Sequence, residues 1–171
     1  MVGEVIIRAV EARDVDAVVA MVHELAAHEE MPEQCHLEPA QLHRALFGER
    51  PALFGIVAEL AGAELAGAEL AGEVGGFALY FLNFSTWDGE HGIYAEDVYI
   101  RPALRGRGVA RRLWGHLARL ALDNGYTRVD CVTLRSNTLG MDVHLALGAQ
   151  PMDEWRVLRW DGDALRTLGG L

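Results

Sequence analysis

Val98-Tyr-Ile-Arg-Pro-Ala-Leu-Arg-Gly-Arg-Gly-Val-Ala-Arg-Arg-Leu-Trp-Gly-His-Leu117 is the stretch on which the fold turns. Its first residues close the strand predicted at Gly92–Ile100, and the chain then runs through an Arg/Gly turn into a helix. Gly106 and Gly108 permit a tight turn and close approach of a ligand to the backbone. Over 109–122, Ala110, Leu113, Trp114, Leu117, Ala118 and Ala121 recur at helical spacing, and Asn124-Gly125 is a stop signal. A strand running through a glycine turn into a helix leaves the first N–H groups of that helix without intrahelical partners, which makes an anion site. Arg101, Arg105, Arg107, Arg111 and Arg112 add positive charge with no acid among them. The pattern is not a P-loop, because no Gly-Lys-Ser/Thr follows, and it lacks the third glycine of the dinucleotide fingerprint.

On the N-terminal side, residues 4–9 read as a strand, and Val15, Val18, Val19, Val22, Leu25 and Ala26 as one face of a helix begun by Asp14 or Asp16. A polar stretch broken by Pro32 leads to a short helix at Pro39–Phe47. Ala52–Leu60 and Gly75–Phe84 read as strands. Between them Ala-Glu-Leu-Ala-Gly occurs three times, from Ala58 to Gly72. A period of five fits neither strand nor heptad and is too short for a solenoid, so it is read as a lengthened strand connection with a turn at each glycine. On the C-terminal side, Arg128–Thr133 reads as a strand, Leu139–Leu147 as a helix and Glu154–Trp160 as a last strand. The order βααβββαβαβ predicts an α/β domain with helices on a mixed sheet, in one domain over 1–171 with an insertion at about 58–72.

The 171 residues carry a net charge of −10. That argues against a nucleic-acid or anionic-membrane binder and is compatible with cationic substrates, although solubility alone explains it equally. All basic residues are Arg, with no Lys, so no side-chain amine competes with an amine substrate. No apolar run approaches the roughly 20 residues of a membrane span, and the N-terminus lacks a signal-peptide pattern, leaving the cytoplasm as the expected compartment. Cys35 and Cys131 are far apart and the histidines lack ligand spacing, so neither a disulfide framework nor a metal site is expected.

Arg105-Gly-Arg-Gly-Val-Ala110 resembles the Arg/Gln-x-x-Gly-x-Gly/Ala motif of the GNAT superfamily of N-acetyltransferases. The segments His23–Gln34, Phe47–Pro51 and Ile93–Tyr99 are similar to the diamine (spermidine/spermine) acetyltransferase branch, which also includes enzymes acting on thialysine and other small amines. The resemblance implies a GNAT fold with a mixed central sheet and acetyl-CoA as cosubstrate. It implies Val98, Tyr99 and Ile100 along the pantetheine arm, and Arg105, Gly106, Arg107, Gly108, Val109, Ala110 and Arg111 around the pyrophosphate, with Asn137 orienting the arm. It also implies a homodimer.

Acetyl transfer needs a neutral amine, and a lysine-like amine has a pKa of about 10.4. Glu96 matches the family's general base, and Asp97 is read as holding the cation or anchoring the strand. As neighbours on a regular strand the two would point to opposite faces, unless the strand is bulged. Where family members present a Tyr to protonate the departing thiolate, this chain has His144, a donor of different reach. Glu29 and His28 match substrate-contact positions, and Trp87 and Trp155 could pack against a methylene chain or a cation. The reading is therefore acetyl transfer from acetyl-CoA to a primary amine of a small polyamine, diamine or related amino compound such as thialysine. Its rivals are a non-catalytic acyl-CoA sensor and an acetyltransferase for a protein N-terminus or an antibiotic amine.

Overall fold

The computed structural model describes residues 4–61, 64–65, 68–69 and 72–171, and divides into two compact units, 1–138 and 139–171. In the first unit the order is β1 (Glu4–Ala9), α1 (Val15–His28), α2 (Pro39–Phe47), β2 (Phe54–Ala61), β3 (Glu64–Leu65), β4 (Ala68–Glu69), β5 (Val74–Ser85), β6 (Glu90–Ile100), α3 (Val109–Asp123) and β7 (Val129–Cys131). Five strands form one sheet in the order β1-β2-β5-β6-β7. All neighbours are antiparallel except β6 and β7, so the sheet is mixed, as expected.

Strand alternation builds two cores. Ile56, Ala58, Leu60, Ala78, Tyr80, Ile93 and Ala95 face one side, where they pack with Val109, Leu113, Leu117 and Ala121 of α3. Val57, Phe77, Leu79 and Tyr99 face the other, against Val15, Val18, Val19 and Met21 of α1 and Leu42 and Leu46 of α2. The start of α1 is fixed by charge. Arg8 of β1 donates two hydrogen bonds to Asp14, at 2.6 and 2.9 Å, and a third to Glu59. Burial would raise the Asp14 pKa, but the Arg8 bonds and the Glu11 N–H outweigh it and hold the carboxyl below its ordinary value.

Of the repeat, the first Ala-Glu-Leu-Ala belongs to β2, and β3 and β4 form a two-residue antiparallel pair. Gly72 turns with φ +86°, whereas the turns expected at Gly62 and Gly67 lie outside the described residues.

The second unit continues α4 (Thr138–Ala146), which starts on the last residue of the first unit, and holds α5 (Gly162–Leu168). The strand expected at Glu154–Trp160 is not formed among the described residues. Trp155, Val157, Leu158 and Trp160 are all more than half exposed, so no buried apolar face holds this stretch in a ladder.

Candidate active site

The site begins where β6 leaves β7. The parallel ladder joins Ile93 to Val129, Tyr94 to Asp130 and Ala95 to Cys131, and stops. From Glu96 to Ile100 the β7 side of β6 has no ladder partner among the described residues, while β5 stays paired along the other side. The expected strand 128–133 is accordingly only three residues long. The result is a backbone edge that lacks a strand partner and suits an extended ligand, the chemistry of strand addition, although its last carbonyl, that of Ile100, is taken by Arg105.

The ladder ends at a bulge. Tyr80 pairs with Ala95 and Leu79 with Asp97, so Glu96 is the extra residue. Before the bulge Ile93 and Ala95 face α3; after it Val98 and Ile100 do, and Tyr99 faces α1. The bulge thus resets the alternation that would have separated Glu96 from Asp97. Glu96 is exposed and Asp97 half-buried. Burial, followed by the charges of Glu96 and Glu29, pushes the Asp97 carboxyl up to about 6.

Glu29 sits at the C-cap of α1, next to exposed His28. That end of α1 is tied to the end of β6 by Arg101, whose Nε and Nη2 both donate to Glu24 Oε1, at 3.1 and 3.0 Å, and whose Nη1 donates to the Val74 carbonyl. The charges of Glu29 and Glu96 thus both bear on Asp97, a local acidic field. Trp87 is not part of it. That side chain is 87 % exposed in the turn joining β5 to β6, beyond the end of β6 opposite to Asp97.

Beyond Ile100, residues Pro102–Leu104 make a 3-10 turn, and Leu104 is buried in the α3-side core. Leu104 packs directly over Gly75, and a Cβ there would meet Leu104 Cδ1 and oblige this buried leucine to shift. This anchor of the turn was not foreseen in the sequence, where the Gly75-Gly76 pair is its only signal. Gly106 and Gly108 adopt φ +72° and +76°. Residues that carry a Cβ rarely take such values. The Arg112 N–H bonds the Gly108 carbonyl, so the N–H groups of Val109, Ala110 and Arg111 precede the first helical bond of α3.

The arginines divide differently from the expectation. Arg101 is neutralised by Glu24. Arg105 folds back, donating from Nε to the Ile100 carbonyl at 3.0 Å with its guanidinium over the Tyr99 ring. Arg107, Arg111 and Arg112 are exposed and have no ion pair among the described residues. A turn with three uncompensated cations, spare N–H groups and no Cβ at its two bends suits a diphosphate.

Asn137 lies at the end of the first unit, where its N–H bonds the Leu134 carbonyl. His144 and Trp155 belong to the second unit. His144 is on α4, and burial lowers its pKa. Trp155 is 64 % exposed, in a turn closed by its N–H on the Met152 carbonyl. A cavity of about 320 Å³ is lined by Arg13, Asp14, Ala17, Gly72, Glu73, Val74 and Arg101; it includes Arg101 of the arginine cluster but none of the residues read as catalytic, cofactor-binding or acceptor-binding. Among the described residues no group of His, Cys, Asp and Glu is arranged to hold a metal ion, and no helix is long and apolar enough to cross a membrane.

The model of the acetyltransferase (GNAT) family matches residues 19–149. A thialysine N-epsilon-acetyltransferase of Bos taurus is 34 % identical over 97 % of this chain and 98 % of its own, and one of Caenorhabditis elegans is 31 % identical over 90 % and 89 %. Among solved structures, an integron cassette protein from the mobile metagenome of V. cholerae superposes with a TM-score of 0.75 at 22 % identity, covering 96 % of this chain and 97 % of that one. The chain belongs to the acetyltransferase (GNAT) family and is an acetyl-CoA-dependent amine N-acetyltransferase.

Proposed function

We propose that the acceptor is a small aliphatic amine carrying a second cationic group, of the thialysine or diamine type. The carrying observation is the acidic field of Glu29, Glu96 and Asp97 beside the open edge of β6. A dication gains from three carboxylates in a partly desolvated setting, whereas an uncharged amine does not. The relatives support the same class: thialysine enzymes match over nearly the full length, and a spermidine/spermine N(1)-acetyltransferase-like protein of Homo sapiens is 26 % identical over 95 % of the chain.

In this reading acetyl-CoA supplies the activated acyl group. Val98, Tyr99 and Ile100 hold the pantetheine amides through the unpaired edge. The N–H groups around Gly106–Arg111, with Arg105, Arg107 and Arg111, hold the diphosphate, and Asn137 steadies the arm. The Glu96–Asp97 pair takes the ammonium proton, and the neutral nitrogen then attacks the thioester carbon as the C–S bond breaks. His144 returns a proton to the sulfur. His28 and Trp155 are the further acceptor contacts implied by the resemblance, while Trp87, past the opposite end of β6, is assigned no role. A homodimer belongs to the same reading.

Acceptor profiling by mass spectrometry tests it. With thialysine, lysine, ornithine, diaminopropane, spermidine, an aminoglycoside and a peptide N-terminus offered together, acetylation is expected on the small dicationic amines. Preferential acetylation of the peptide or the aminoglycoside would contradict the proposal.

A further inference from the structure

We propose that Asp97, rather than Glu96, is the group that accepts the proton from the amine, with Glu96 acting on it as a neighbouring charge; this rests on the acceptor reading above. The reason lies in the bulge. Glu96 is the residue left over when Tyr80 pairs with Ala95 and Leu79 with Asp97, and it is exposed. A solvated carboxylate is a weak base and a poor trap for an ammonium proton. Asp97 is the residue held in register, opposite buried Leu79, half-buried on the face that α1 covers, just past the end of the β7 ladder. A nitrogen that reaches an acyl carbon lying along the unpaired edge from Val98 to Ile100 meets the carboxyl next in the chain to that edge.

The surroundings of Asp97 agree with the geometry. The charged groups whose fields raise it are Glu96 on its own strand and Glu29 from α1. Arg101, the cation nearest along the strand, is engaged with Glu24. A carboxyl at about 6 instead of 3.8 is roughly a hundredfold better proton acceptor while still ionised at neutral pH, which is the compromise general-base catalysis asks for. The step balances: the ammonium loses one proton to the Asp97 carboxylate, giving a neutral amine and a carboxylic acid. The acid then loses that proton to solvent past Glu96.

The experiment is the pH profile of kcat/KM with thialysine for the wild type, Asp97→Asn, Asp97→Glu and Glu96→Gln. The wild type is expected to show an acid limb near pH 6. Asp97→Asn is expected to lose that limb and to fall by about a hundredfold, at the low end of what a general base contributes, with Asp97→Glu recovering part of the rate and a limb. Glu96→Gln is expected to keep the limb but move it to lower pH, because it removes one of the charges that raise Asp97. Loss of the limb in Glu96→Gln, or its retention in Asp97→Asn, overturns the assignment. If Asp97→Asn fails to fold, the Glu96→Gln profile and a carbon-13 carboxyl titration of the wild type decide: an Asp97 resonance titrating near 4 overturns it. Silence of the wild type and every variant toward thialysine and diamines would instead reject the acceptor reading, and this proposal with it.

Discussion

Asp97 carries a cost as well as a task. Its carboxyl is raised in the fold to about 6 from an ordinary 3.8, so the folded protein favours the protonated form. The stability that this contributes is present below about pH 4 and is lost as pH rises through 6. At pH 7.5 the ionised group is therefore a destabilising one. Asp97→Asn is expected to raise the unfolding free energy there by on the order of 1–3 kcal/mol, and to add nothing near pH 4. Thermal melts at the two pH values check this; equal shifts at both would contradict it. A variant that is more stable and slower would show the trade that active sites often make. His144 poses the opposite question. Burial lowers its pKa, so at pH 7 the imidazole is predominantly neutral, and only its protonated fraction can hand a proton to the departing thiolate. His144→Phe is expected to slow turnover by about tenfold and His144→Tyr to retain it, read as thiol release under saturating acetyl-CoA. Full activity of the Phe variant would show that His144 takes no part. The identity of the carboxylates was legible in the sequence, but their orientation was not: strand alternation puts neighbours on opposite faces, and a bulge depends on the pairing partner, here β5, which local sequence does not reveal.

At the scale of elements, the turn after β6 is held by packing as much as by its own glycines. Gly75 leaves the space that Leu104 fills, and Leu104 anchors the 3-10 turn leading to Gly106 and Gly108. Gly75→Ala is expected to cost about 1–3 kcal/mol by overpacking and to raise KM for acetyl-CoA more than it lowers kcat, because the turn shifts while the carboxylates stay. Steady-state kinetics in both substrates check the split. The strand–turn–helix segment was legible because its signals are local: β-rich residues, two glycines and an apolar stripe at helical spacing. α1, α2 and β1, β2, β5 and β6 were legible for the same reason. β7 came out shorter because the bulge in β6 ends its ladder, a long-range effect. The stretch 154–160 has the composition of a strand, but a strand also needs a partner, and composition is silent on that.

For the whole molecule, charge is unevenly spent. Among the described residues, a chain of net charge −10 keeps Arg107, Arg111 and Arg112 without ion pairs at one turn, and sets carboxylates beside the strand that leads to it. An anionic cosubstrate and a cationic acceptor would each meet complementary charge on one continuous piece of chain, β6 through α3. This division was visible in the sequence as an arginine cluster. The pairing of Arg101 with Glu24 was not, because its partner lies 77 residues away. The most direct measurement is calorimetry of CoA against pantetheine, which lacks the diphosphate. Binding of CoA at least tenfold tighter than pantetheine, with the advantage reduced in Arg107→Ala/Arg111→Ala, is the predicted result. Equal affinity for the two, or no binding of CoA, would contradict the account.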